Sequence, residues 1–131
     1  MADYYFNKHF TIEEARSYLP ILKPLLQEMR LLAIKLSEAG FDIYKAKYKP
    51  GFHPGTRREF PPEFERVVEL IRLINQEGIE VKSVEQGMVD FPALRGNKEE
   101  VFLCWKLDED DIEFWHPLQG GYRAREHIDD F

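Results

Sequence analysis

Apolar positions along the chain follow two rhythms, one on each side of Gly78. Leu22, Leu26, Met29, Ala33 and Leu36 recur in steps of four and three, the spacing of a helix that buries one seam. Gly40 falls next on that seam and Ile43 after it. A glycine there ends the helix or lets a partner come close. Leu25, Leu31, Leu32 and Ile34 widen the stripe, so this helix is expected to touch more than one neighbour. Upstream, Thr11 and Glu14 form the S/T-x-x-E capping box, whose hydroxyl and carboxylate each satisfy an orphan backbone N–H. That predicts a short helix from Ile12. Pro20 suits the first turn of a helix but not its middle, which predicts a break near Leu19 and a second helix after it, with Pro24 as a point of kinking. Tyr4 to Phe10 is short and aromatic, an extended arm or an edge strand. Pro61 and Pro62 open a further helix carrying Phe64, Val67, Val68, Ile71 and Ile74 on one face, and Gly78 stops it.

After Gly78 the period shortens to two. Ile79, Val81 and Ser83 alternate with Glu80 and Lys82. Val89-Asp90-Phe91 makes a short strand that Pro92 is expected to end. Val101, Leu103, Trp105 and Leu107 alternate with Phe102, Cys104 and Lys106, and Ile112, Phe114 and His116 with Glu113 and Trp115. Turn residues at Gln86-Gly87, Arg95 to Lys98 and Asp108 to Asp111 separate these runs, as in an antiparallel meander. Gly120-Gly121-Tyr122 is placed to turn into one last strand. Tyr44 to Pro62 holds three glycine or proline clusters and little periodicity, a long or mobile connection. The order of elements predicts an α+β fold in one domain, residues 1–131. An N-terminal helical pair, about 11–77, packs on a C-terminal antiparallel β-meander of four or five strands, about 79–128.

Composition narrows the class. The 131 residues are 44% hydrophobic and 14% aromatic, enough for a core and against wholesale disorder. The single cysteine forms neither an intramolecular disulfide nor a cysteine-rich zinc site. The longest aliphatic run, Leu31 to Ile34, is far short of the ~20 residues of a membrane helix. The opening Met-Ala-Asp-Tyr-Tyr has neither the basic start nor the apolar stretch of a secretory signal. A cytoplasmic location with no membrane association is expected.

Several ordered segments carry a resemblance. Gly78-Ile79-Glu80-Val81-Lys82-Ser83, Gly87-Met88-Val89-Asp90-Phe91-Pro92-Ala93, Val101-Phe102-Leu103-Cys104-Trp105 and Ile112 to His116 follow one another, preceded by Phe10-Thr11-Ile12-Glu13-Glu14-Ala15 and Leu19-Pro20. Together they resemble the bacterial family called domain of unknown function 2203, over nearly the whole chain except residues 40 to 62. The resemblance implies a small bacterial cytoplasmic protein and no particular activity. That family's C-terminal Gly-Phe-x-Gly-Arg-x-Pro compares with Gly121-Tyr122-Arg123-Ala124-Arg125-Glu126-His127. Arg125 matches the arginine, and Ala124 and His127 depart.

Much chemistry is disfavoured. Ser17, Ser37, Ser83, Thr11 and Thr56 are the complete set of serines and threonines, and none lies in a G-x-S-x-G elbow. Neither a P-loop nor a G-x-G-x-x-G turn occurs, and no cofactor is expected. The histidines, at 9, 53, 116 and 127, include no i, i+4 pair and no H-E-x-x-H. A metal site would have to be assembled from distant segments, and none is assigned.

The remaining candidates each have two readings. Asp90 and His116 can exchange protons in a small cleft on the sheet, with Arg95 or Arg125 holding an anionic group and Trp105 and Trp115 nearby. The structural alternative has Asp90 bonding backbone at the turn before Pro92, His116 ending a strand and the tryptophans filling the core. Alternation sets Phe102 and Cys104 opposite Trp105, and His116 opposite Trp115, so all of these cannot line one pocket without a bulge. Cys104 is a nucleophile beside His116 or, on the simpler view, a small buried hydrophobe. Lys45, Lys47, Lys49, Arg57 and Arg58, interleaved with Tyr44, Tyr48, Phe52 and His53, give residues 45 to 58 a local +5. In a chain of net charge −6 that leaves −11 elsewhere. Such a segment can bind single-stranded nucleic acid, but the surrounding acid opposes it, and a loop docked on the protein itself is the simpler account. Asp108 to Asp111 with Glu113 lack the glycine and distal glutamate of a calcium loop and read as a solvated hairpin tip. The leading expectation is a non-catalytic protein that binds a partner or forms a homodimer through its helical pair, whose extra leucines leave apolar surface. A small-molecule or anion-binding protein or enzyme with a site on the sheet is the alternative, and a nucleic-acid binder through residues 45–58 the second.

Overall fold

The computed structural model describes residues 3–131. Helix α1 spans Ile12–Ser17 behind the Thr11–Glu14 capping box, and α2 spans Leu19–Glu38 with Pro20 in its first turn. The break between them is one residue, Tyr18. Pro24 lies inside α2, which continues past it. The seam is as spaced: Leu22, Leu26, Met29, Ala33 and Leu36 are all buried. Gly40 ends the run with φ +73°, and a Cβ there would strike the Phe52 ring, so this turn needs glycine.

The connection is more ordered than its sequence suggests. It opens with a hairpin of β1 (Phe41–Asp42) and β2 (Lys47–Tyr48), turned through Ala46 at φ +55°. Tyr48 packs edge-on against Phe41 and His53. Helix α3, Pro62–Gln76, then returns along α2, where Arg66 forks onto both carboxylate oxygens of Glu28 (2.7 and 3.0 Å). Its buried residues are Val67, Leu70 and Ile74; Val68, expected on that face, is 36% exposed, and Leu70 takes its place.

The sheet is a five-stranded antiparallel meander: β3 (Glu80–Ser83), β4 (Met88–Leu94), β5 (Glu100–Lys106), β6 (Phe114–Pro117) and β7 (Glu126–His127), in that spatial order. Pro92 does not end β4. The last β3–β4 pair is Glu80 with Asp90, so beyond it the β3 side of β4 is open. There the Phe10 N–H donates to the Pro92 carbonyl at 2.7 Å, and the missing proline N–H faces a position without a ladder partner. Tyr4 to Phe10 is therefore an arm and not a strand.

Alternation divides the sheet. Val89, Phe91, Ala93, Val101, Leu103, Trp105 and Trp115 join the helices in one core. Phe102 and Cys104 are buried as well but stand outside that cluster. Ile112, which the alternation set with His116, belongs to the main core, because β6 begins only at Phe114. Among the described residues no helix is long and apolar enough to cross a membrane.

Candidate functional site on the outer face of the sheet

The register brings three reactive side chains together. Asp90 on β4 pairs directly with Cys104 on β5, and His116 on β6 pairs with Phe102, two residues along the same face. Direct and diagonal neighbours on one face of a sheet lie within side-chain reach. The carboxylate, thiol and imidazole thus have one donor atom each within 4.8 Å of the others. Asp90 and His116 are each only 2% exposed, the buried polar residues among those described, and Cys104 is 1% exposed.

Their hydrogen bonds are specific. His116 Nδ1–H donates to the carbonyl of Pro117 at 2.7 Å, and Nε2 meets Asp90 Oδ2 at 2.9 Å. Because a carbonyl only accepts, Nδ1 carries a proton, and Nε2–H donates to the carboxylate when the ring is charged. Burial works against that charge, but the hydrogen bond and negative charge of Asp90 outweigh it and hold the His116 pKa above the usual imidazole value. Asp90 thus favours the charged form of the ring in a nearly dry setting. Asp90 Oδ1 is buried with no partner, a half-satisfied carboxylate of the kind that needs an explanation. Burial, and then the charge of Asp90, push the Cys104 thiol well up. A nucleophilic thiolate is thereby disfavoured in this state.

These three residues floor a cavity of about 250 Å³, walled by Lys82, Met88, Leu118, Gln119 and Tyr122. Lys82 sits over the Phe102 ring and pairs with Glu80. A second depression of about 350 Å³ shares Lys82, Leu118 and Gln119 and extends to Tyr5, Phe6 and Phe102. The two depressions adjoin at Lys82, Leu118 and Gln119; the turn after β6 lines both, and the N-terminal arm lines the second.

Other candidates lie elsewhere. Arg95 binds Glu99 and the Asp130 carbonyl and stacks on Trp115, 4.2 Å from the ring centre. Trp105 and Trp115 are on the helix side, with Trp105 Nε1–H donating to the Glu109 carbonyl. None of these three reaches the cavity. Arg125 binds the Glu109 carboxylate between the rings of Phe114 and Tyr122, near enough for its charge to act on Cys104. Glu109 is correspondingly no solvated tip residue: its carboxylate also accepts from Lys106 N–H. Asp90, expected to bond backbone at a turn on the structural reading, is in mid-strand. Lys82, Leu118 and Gln119 were missed; only Lys82, a cation inside a strand-like run, carried a signal.

The basic segment is exposed, with Arg58 paired to Glu65. Its aromatics are engaged locally: Tyr44 donates to Glu85, and Phe52 lies over Gly40. On the helical pair the exposed apolar residues are Ile21, Leu31 and Ile34 of α2 and Leu73 and Val68 of α3. A family described as an uncharacterized conserved protein (DUF2203) matches residues 8–128, and the chain belongs to that family. No curated protein and no solved structure matches it.

Proposed function

We propose that this protein binds a small polar ligand in the cavity on the outer face of its sheet, with Asp90 and His116 as the recognition pair. One observation carries the reading. A buried histidine–carboxylate pair, costly in a sheet core, lines an open cavity together with the Cys104 thiol. The volume, about 250 Å³, is below the ~300–1,000 Å³ of pockets for drug-sized molecules, so the ligand is small. Lys82 at the wall and Asp90 at the floor favour a ligand with both an acceptor and a donor. The reading takes the protein to be cytoplasmic, which its one free, buried thiol supports.

The test is an amide and imidazole NMR titration with a panel of small amides, amines, amidines and carboxylates. Binding is expected to shift Lys82, Gln119, Gly121 and the His116 ring, and Asp90→Asn is expected to remove the response. If no member of the panel moves those signals at millimolar concentration, or if Asp90→Asn responds equally, the reading falls.

A further inference from the structure

We infer that Asp90, Cys104 and His116 bind a divalent transition metal of the zinc class, with one coordination position left open to the cavity. The inference rests on the cavity being the ligand site and names what completes it. A carboxylate oxygen, a sulfur and an imidazole nitrogen from three adjacent strands lie within 4.8 Å of one another. This mixed set suits zinc and its borderline neighbours, whereas calcium and magnesium favour oxygen alone. Tetrahedral zinc, with bonds of about 2.0–2.3 Å, holds its ligand atoms about 3.3–3.8 Å apart. The 2.9 Å contact between His116 Nε2 and Asp90 Oδ2 then has to widen by about half an ångström, which a change of side-chain torsion supplies.

Two further features point to a cation. His116 is already oriented as a ligand: its Nδ1–H is held by the Pro117 carbonyl, so Nε2 faces Asp90 and Cys104. An outer hydrogen bond of this kind fixes the ring of metal-bound histidines. Asp90 Oδ1 meets no N–H or O–H donor, and its residue lines the cavity with Cys104 and His116. The charges also close. A carboxylate and a thiolate around a neutral imidazole carry −2 against +2, which leaves a neutral buried centre. Uptake releases two protons, one from Nε2 and one from the thiol.

Three protein ligands with a free position are the number found where zinc takes up water or a ligand, while purely structural sites are closed by a fourth. Lys82 stands at the cavity wall, so the open position suits a ligand with an anionic oxygen donor. Arg125, whose charge reaches Cys104, favours the bound thiolate.

The experiment adds Co²⁺, as a coloured stand-in for Zn²⁺, to the untagged full chain after chelator treatment. One equivalent is expected to give a thiolate-to-cobalt charge-transfer band and the visible bands of a tetrahedral ion, both bleached by Zn²⁺. Cys104→Ala should abolish the charge-transfer band. His116→Gln should weaken binding by more than the roughly 10–100-fold that loss of an outer partner costs. His127→Gln, at an exposed position on β7, should change neither. If the wild type shows no charge-transfer band, or a folded Cys104→Ala keeps it, the metal site is overturned. The wild-type spectrum decides even where a variant does not fold. The same chelated protein is titrated with the fragment panel: fragment shifts without a cobalt band remove the metal site and keep the cavity reading, and loss of both removes both.

Discussion

The inner and outer faces of the sheet are made from alternate residues of the same strands, yet they are covered in different ways. The inner face presents Val89, Phe91, Ala93, Val101, Leu103, Trp105 and Trp115 to the core it shares with the helices, and every one is at most 4% exposed. Its cover is held by area, through many apolar contacts with no single essential partner. The outer face presents Asp90, Phe102, Cys104 and His116 to an arm and a turn. Its cover is held by a few directed hydrogen bonds. A face closed by area resists opening everywhere. A face closed at points can admit a ligand while the fold stays intact. The difference explains how one five-stranded sheet carries both a core and a recess.

The inner face breaks at its largest side chain. Trp105→Ala removes a fully buried indole from near the C-terminal end of β5, and the expected loss is about 3–5 kcal/mol, read by urea unfolding. A loss under about 1 kcal/mol would mean that the helices do not depend on this face.

The outer face is expected to respond to pairing more than to volume. His116→Leu leaves the Asp90 carboxylate buried without its imidazole donor and should cost about 3 kcal/mol. Asp90→Leu should cost less, since the imidazole then sheds its proton and keeps its Nδ1–H bond to Pro117. The double replacement Asp90→Leu with His116→Leu is expected to lie within about 1 kcal/mol of wild type, because both charges are gone. A double-mutant cycle measures the coupling. Strict additivity of the two losses would show that this pair is no more than packing and would erase the contrast between the faces.

How far the contrast was legible depends on the kind of interaction. The alternation of Val101 to Leu107 set Trp105 apart from Cys104, and the period of α2 named its buried seam residue by residue, because both depend on neighbours in the chain. Asp90 and His116 stood out as polar residues among apolar ones. The cleft reading brought them together, but the register that does so was not legible, since the pairing of Asp90 with Cys104 is set by the turn at Arg95 to Lys98, where Lys98 adopts φ +68°. A one-residue change in that turn would move Asp90 off the register. Pro92 was taken as a strand end, but proline is tolerated where the ladder has already stopped, a condition of β3 rather than of β4. Cys104 reads in the sequence as a small hydrophobe, and it is buried as such a residue would be; the metal site proposed above adds a second role to it. Arg95 and Arg125, placed with the site by their charge and their positions at strand ends, are each joined to an acid of their own.

The smallest expected effect tests the cover of the outer face. Glu100, at the start of β5, accepts from the N–H groups of Tyr5 and Phe6 (2.8 and 2.9 Å) and from His9 Nε2 at 2.7 Å, while Phe6 packs edge-on against Phe102. One carboxylate thus pins the arm over the recess. Burial alone would raise its pKa, but the hydrogen bonds from His9, Phe6 and Tyr5 outweigh that and hold it below the usual carboxylate value. A carboxyl group lowered on folding stabilises the fold fully above its unfolded pKa of about 4.3 and loses that contribution as pH falls through the folded value. At neutral pH Glu100→Gln is expected to cost about 1.5 kcal/mol. The gap between variant and wild type should close below pH 4, as the wild-type carboxylate takes up its proton. Amide exchange, corrected for its own pH dependence, should show the loss of protection at Tyr5 and Phe6 while Leu103 and Trp105 stay protected. Equal loosening of Leu103 would mean that the arm is part of the core, and the two faces would then open as one.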